Sequence, residues 1–194
     1  MFRVTPIVRN LIIINVVIYI LQRFAQSYHI TEYMALSSLD SPYFKPYQFF
    51  TYMFVHDPYS MGHLIFNMFA LLSFGSPLES FWGDKKFMLF YLACGIGAGV
   101  FFNAIEYFVF HSAGGIMLGA SGAIYGILMA FGMTFPENEI MLLLFPVPIK
   151  AKYIVFIAGF ITYLMDHTGE VAHNAHLGGA LIGFFLVRIL RNSR

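Results

Sequence analysis

Residues 119–135 read Gly-Ala-Ser-Gly-Ala-Ile-Tyr-Gly-Ile-Leu-Met-Ala-Phe-Gly-Met-Thr-Phe. The stretch is apolar, yet a serine flanked by glycines stands at its head. The whole chain shares this character. Of its 194 residues, 59% are hydrophobic and 11% charged, and mean hydropathy is +0.72. A soluble domain carries about 25% charged residues. So few charges do not coat a surface facing water, and the class is integral membrane. The formal net charge of +1 implies no strongly acidic or basic partner, and nucleic acid is not expected. The single cysteine, Cys94, allows no intrachain disulfide and sits among small apolar residues, where packing is its expected role.

A hydrocarbon core of about 30 Å needs about 20 apolar residues in a helix. Six runs approach this: 8–26, 62–81, 87–110, 119–135, 149–165 and 174–191. The expected architecture is an all-α, polytopic bundle of six transmembrane helices. Residues 1–194 form one domain, with no soluble domain at either end. The first run follows Arg3 and Arg9 like a signal peptide, but no small-residue cleavage site follows it, so it reads as a retained span. Basic residues set the orientation. With the N-terminus cytoplasmic, Arg3, Arg9, Lys85, Lys86, Lys150, Lys152, Arg188, Arg191 and Arg194 lie inside, and only Arg23 and Lys45 outside. Both termini are therefore expected in the cytoplasm, in the cell (inner) membrane of a bacterium. Residues 27–61 are long for a linker and rich in aromatics, including Tyr43, Tyr47, Phe50, Tyr52 and Phe54. Such a loop lies in the membrane interface or packs as an ordinary external loop.

Polar groups inside a span are costly and point to function. Span two opens with His63 and Asn67 on one helix face. Span four opens with Gly119, Ser121 and Gly122, and Tyr125 follows one turn below. Span six opens with His173, Asn174 and His176. These three spans run in the same direction, so their polar heads can converge in one pocket near the outer surface. The chemistry that suits such a pocket is acyl transfer. A serine hydroxyl needs an adjacent base, which His176 can be. The oxyanion needs donors, which Asn67, His63 and the Ser121 backbone N–H at a helix start can supply. Gly122 and Gly126 on span four, and Gly179 and Gly183 on span six, form small-residue faces that let two backbones approach. That contact would bring Ser121 to His176, with Tyr125 against the imidazole.

At these residues the chain resembles the rhomboid family of intramembrane serine proteases. His63 to Asn67 matches H-x-x-x-N, and Gly75, Glu79 and Gly83 match G-x-x-x-E-x-x-x-G. Gly119 to Gly122 matches G-x-S-G, and Ala175 to Gly183 matches A-H-x-x-G-x-x-x-G. The resemblance implies a Ser121–His176 dyad with no third acidic member, oxyanion roles for His63 and Asn67, and supporting roles for Tyr125, Gly119 and Gly122. It implies no cofactor and no metal. Its expected partners are transmembrane protein substrates, cut in or near their spans, within the lipid bilayer. Where many members carry Trp-Arg in the first loop, this chain has Tyr47-Gln48, so the usual bonding of that loop does not carry over.

Blander readings stand beside these. Ser121 alone reads as a packing residue, and His63 and Asn67 as an interhelical bond. His173, Asp166, His167 and Glu170 read as solvated, Glu106 as structural or solvated, and Glu79 as a cap or ion pair near Lys85 and Lys86. Other functions weighed are a non-catalytic binder of transmembrane clients, a channel lined by histidines, and a zinc protease, for which no H-E-x-x-H exists. Oligomeric state has no signal in the sequence.

Overall fold

A computed structural model of the chain describes residues 4–111, 115–142, 145–166 and 171–192. Arg3, His167, Glu170 and Arg194 fall outside the described residues. Helix α1 spans Pro6–Phe24. Helix α2, Met61–Trp82, contains a π turn at Leu71–Gly75. Helix α3, Asp84–Phe110, ends in another at Glu106–Phe110. Helix α4 spans Ser121–Thr134, α5 Ile154–Met165 and α6 His173–Asn192. Helices α1, α2, α3 and α6 are long and apolar enough to cross a membrane, whereas α4 and the segment carrying α5 are apolar but shorter. The molecule is an integral membrane helical bundle.

The termini of these helices have local causes. Pro6 opens α1, where its missing N–H costs nothing. The next two N–H groups, of Ile7 and Val8, donate to the carboxylate of Glu79 at 2.8 and 2.9 Å, and the Thr5 hydroxyl donates to it too. Glu79 is fully buried near the end of α2. It answers the unpaired donors of α1 and faces the positive end of that helix. Its expected place beside Lys85 and Lys86 is thus corrected: the carboxylate caps another helix. Gly83 joins α2 to α3 with φ +81°, a left-handed conformation that a side chain would strain.

Helix α4 is buried on all sides, through Gly122, Ala123, Ile124, Tyr125, Gly126, Ile127, Leu128, Ala130, Phe131 and Gly132. Close backbone approach puts it there. A Cβ on Gly179 would fall on the carbonyl of Gly122, and one on Gly183 would lie 2.7 Å from that of Gly126. On its other side, a Cβ on Gly122 would lie 2.7 Å from the Ala98 methyl of α3. The two glycine faces interlock as small-residue stripes do in membranes.

The segment before α2 is part of this core. It holds a turn at Gln26–Tyr28, a short helix Ile30–Met34, strand β1 (Leu36–Ser37), and helical turns at Gln48–Thr51 and Tyr52–Phe54. Strand β1 pairs antiparallel with β2, Ile116–Met117, just upstream of Ser121. Its aromatics divide: Tyr43, Tyr47 and Phe50 are exposed, while Tyr52 and Phe54 are buried. Part of the loop is therefore packed into the protein, and part presents aromatic side chains outward.

Gln48 organises the segment. Its Oε1 accepts from the N–H of Ser37 (3.3 Å) and Lys45 (3.1 Å), and its Nε2 donates to the carbonyls of Tyr33 (3.4 Å) and Tyr43 (3.2 Å). Here an uncharged amide bonds the loop internally. Gln48→Ala is expected to destabilise the fold by about 2–4 kcal/mol, near 1 kcal/mol per lost bond. Thermal unfolding in detergent checks it, and an unchanged midpoint would show the four bonds to be idle.

Between the fourth and fifth apolar runs the chain forms a hairpin. Strand β3, Glu139–Leu142, pairs with β4, Phe145–Lys150. Lys150 and Lys152 flank Glu137 at 2.6 and 2.8 Å, and their ammonium groups hold its carboxyl down to about 2.

Candidate active site

The N-terminal ends of α2, α4 and α6 meet at one end of the bundle. Arg23 and Lys45 belong to that end. Arg9, Lys85, Lys86, Lys150, Lys152, Arg188 and Arg191 lie towards the other, by the direction of the helices that carry or flank them.

Ser121 is the first residue of α4. Its backbone N–H therefore has no partner one turn back. Fourteen residues of α4 rise about 21 Å at about 1.5 Å each, short of a hydrocarbon core of about 30 Å. The charged hairpin at the far end of α4 belongs at the membrane surface, because charge in hydrocarbon is costly. With the far end of an upright α4 at that surface, Ser121 would lie about 9 Å below the opposite boundary, by the same two lengths.

The Ser121 hydroxyl is 2.9 Å from Nε2 of His176. For the serine to donate here, His176 must accept at Nε2, which puts its ring proton on Nδ1. That Nδ1 is buried, and no hydrogen-bond partner stands at it among the described residues. Glu106, the in-span acid that could have served, instead accepts from the Asn174 amide at 3.3 Å. The imidazole is held by packing. Tyr125 stacks on it with ring centroids 4.2 Å apart and planes 10° apart.

His63 faces the glycine two residues before the serine, and Asn67 lies one turn further along α2. The Asp57 N–H points at Nδ1 of His63 over a long 3.5 Å, which leaves the proton on Nε2. That Nε2 faces Gly119, where an added Cβ would sit 2.8 Å away. Gly119 has φ +109° and donates its N–H to the Tyr52 carbonyl at 3.0 Å. Both constraints call for glycine. Asn67 donates one amide hydrogen to the His63 carbonyl at 2.7 Å. The structure thus brings Ser121, His176, His63, Tyr125, Gly119 and Gly122 together, with Asn67 one turn beyond His63.

Two neighbours escaped the sequence reading, and a pair was misread. His56, in the segment before α2, is buried with its ring 5.1 Å from that of His63. Thr162 of α5 meets the Tyr125 hydroxyl at 2.9 Å; a hydroxyl in an apolar stretch was the available signal. Asp166 and His173, read as solvated, are paired at 3.0 Å with the Asp166 side chain 5% exposed, which corrects that reading.

The arrangement suits transfer of an acyl group to a serine. It has a hydroxyl, an imidazole upon it and ring and backbone N–H groups nearby. Comparison with known proteins gives the family. The rhomboid-domain family model matches residues 43–193. The chain is 34% identical over 124 residues to Rhomboid protein 1, mitochondrial, of Saccharomyces cerevisiae, covering 62% of this chain and 36% of that protein. It is 34% identical over 140 residues to the human presenilin-associated rhomboid-like protein, mitochondrial, covering 66% and 34%. With Rhomboid protease GluP of Bacillus subtilis it shares 36% over 135 residues, covering 67% and 24%. The match thus spans between about a quarter and little more than a third of the length of these relatives. By its motifs, its helices and the extent of the family match, the chain belongs to the rhomboid family.

Proposed function

We propose that this chain is an intramembrane serine endopeptidase that cuts transmembrane proteins in or near their spans. The observation that carries the reading is the 2.9 Å contact between Ser121 and His176, held under the Tyr125 ring. Ser121 Oγ attacks the scissile carbonyl carbon while its proton passes to His176 Nε2. The carbonyl oxygen becomes an oxyanion, met by the Ser121 N–H, His63 Nε2–H and Asn67 Nδ2–H. His176 returns the proton to the leaving amine as the C–N bond breaks, giving an acyl-serine. Water then attacks the ester with His176 as base, and the second product leaves with Ser121 restored.

Substrate reaches such a site sideways, within the bilayer. Helix α5 favours that route. Only Ile154 and Val155 are buried on it, while Phe156, Phe160, Tyr163, Leu164 and Met165 are exposed. Residues 1–194 are taken as one membrane domain with both termini on the basic, cytoplasmic side. The expectation of a bacterial cell membrane is not supported by the comparisons, since the names of the yeast and human relatives place those proteins in mitochondria; the apolar helices support an integral membrane place.

A serine-directed fluorophosphonate tests the reading. The purified protein is expected to gain one covalent adduct on Ser121, and Ser121→Ala to gain none while keeping its helical circular dichroism. Failure of the unaltered protein to label, with no cleavage of a transmembrane substrate, would leave a non-catalytic client binder in its place.

A further inference from the structure

Helix α5 is the least buried helix next to the site, yet two polar ties run from it towards the imidazole. The Thr162 hydroxyl donates to its own helix, at the Ala158 carbonyl, over 2.8 Å. Its single proton is thereby spent, so in the 2.9 Å contact with Tyr125 the tyrosine hydroxyl is the donor. The Tyr125 ring is the one stacked on His176.

The second tie lies at the end of α5. Asp166 caps its C-terminus and meets Nε2 of His173 at 3.0 Å. His173 opens α6, and its ring stands across that of His176 at 84°, centroids 6.0 Å apart. Tyr163 of α5 packs on the same His173 ring at 5.6 Å. The imidazole is thus bounded by two rings, one parallel and one perpendicular, and each is tied at its outer end to α5. Movement of α5 away from the bundle strains both ties.

We propose that Thr162 and the Asp166–His173 pair are positioning residues, through which the placement of α5 sets the orientation of the His176 imidazole. This rests on the reading of Ser121 and His176 as the catalytic pair. The nucleophile is therefore fully activated only while α5 is seated. A substrate that displaces α5 on its way in must let it return before Ser121 attacks. The device makes α5 a reporter of occupancy as well as a wall of the site.

Thr162→Val keeps the shape of the side chain and removes the acceptor. It is expected to lower kcat for a transmembrane substrate about tenfold, within the range that a sub-ångström misplacement of reacting groups produces, with KM unchanged. The rate of fluorophosphonate labelling of Ser121 falls in the same proportion. Thr162→Ser restores both rates. Asp166→Asn, which weakens the second tie without changing its shape, lowers both rates as well and so carries the test if the valine variant folds poorly. A helix that serves only as a latch on access gives the opposite pattern. Cleavage would then quicken in Thr162→Val and labelling by the small probe would not change, and that result overturns the proposal while leaving the dyad in place. Absence of labelling in the unaltered protein overturns both.

Discussion

Replacing His176 with alanine is expected to reduce cleavage of a transmembrane substrate by a factor on the order of 10⁴ or more, to background. The hydroxyl of Ser121 has one base within reach, Nε2 of His176 at 2.9 Å. Without it the hydroxyl keeps its proton, and a neutral serine is a weak nucleophile. Among the described residues no carboxylate bonds Nδ1 of the ring, and Glu106 bonds Asn174 instead. The variant is expected to fold. The Ser121 hydroxyl and the rings of Tyr125 and His173 lose a partner, but the glycine contacts between α4 and α6 remain. Kinetics on a purified, reconstituted protein, beside circular dichroism, would decide the matter. Retention of a tenth of the activity would remove His176 from the proposed role.

Gly179→Val carries the second large effect, on the fold itself. The new Cβ would coincide with the carbonyl oxygen of Gly122. Both groups are helical backbone, so neither turns aside as a side chain does. Ordinary overpacking costs about 1–3 kcal/mol. Separation of two interlocked helices belongs with the rarer losses above about 4 kcal/mol. The expected result is loss of cooperative thermal unfolding in detergent. Gly179→Ala is expected to be milder and instructive. A shift of α6 that relieves the alanine lengthens the Ser121–His176 contact, so kcat falls before the fold does, by about 10²-fold for about 1 Å. An alanine variant with unchanged kcat and unchanged unfolding would show that the glycine contact does not govern the site.

The parts of this architecture that could be read from the chain are those set by local pattern. Runs of apolar residues located the helices to within a few positions, and polar residues at the heads of α2, α4 and α6 located the site. The glycine spacings 122–126 and 179–183 announced the α4–α6 contact, because such spacing repeats along one face of a helix. What escaped depends on pairings between distant residues. Glu79 has lysines nearby in sequence, yet its partners are Thr5, Ile7 and Val8, more than 70 residues away. Gln48 replaces a charged residue common in the family, and nothing local tells that one amide bonds to Tyr33, Ser37, Tyr43 and Lys45. Strands β1 and β2 are two residues each, too short for any periodicity. Asp166 and His173 read as solvated because both are polar and near a loop, and only the fold of α5 against α6 makes them a pair.

The shortness of α4 has a consequence for what is cut. Its far end is held at one membrane surface by charge, so the depth of Ser121 is a count of residues measured from that surface. The count does not change when the bilayer thickens or thins. In a thicker membrane the hydroxyl sits further from the near surface, and a helix lying alongside offers a bond closer to its middle. On the proposed reading the protein is then a ruler with one fixed end. One substrate would be severed at different positions in membranes of different thickness, and lipid composition would join amino-acid sequence in choosing the bond.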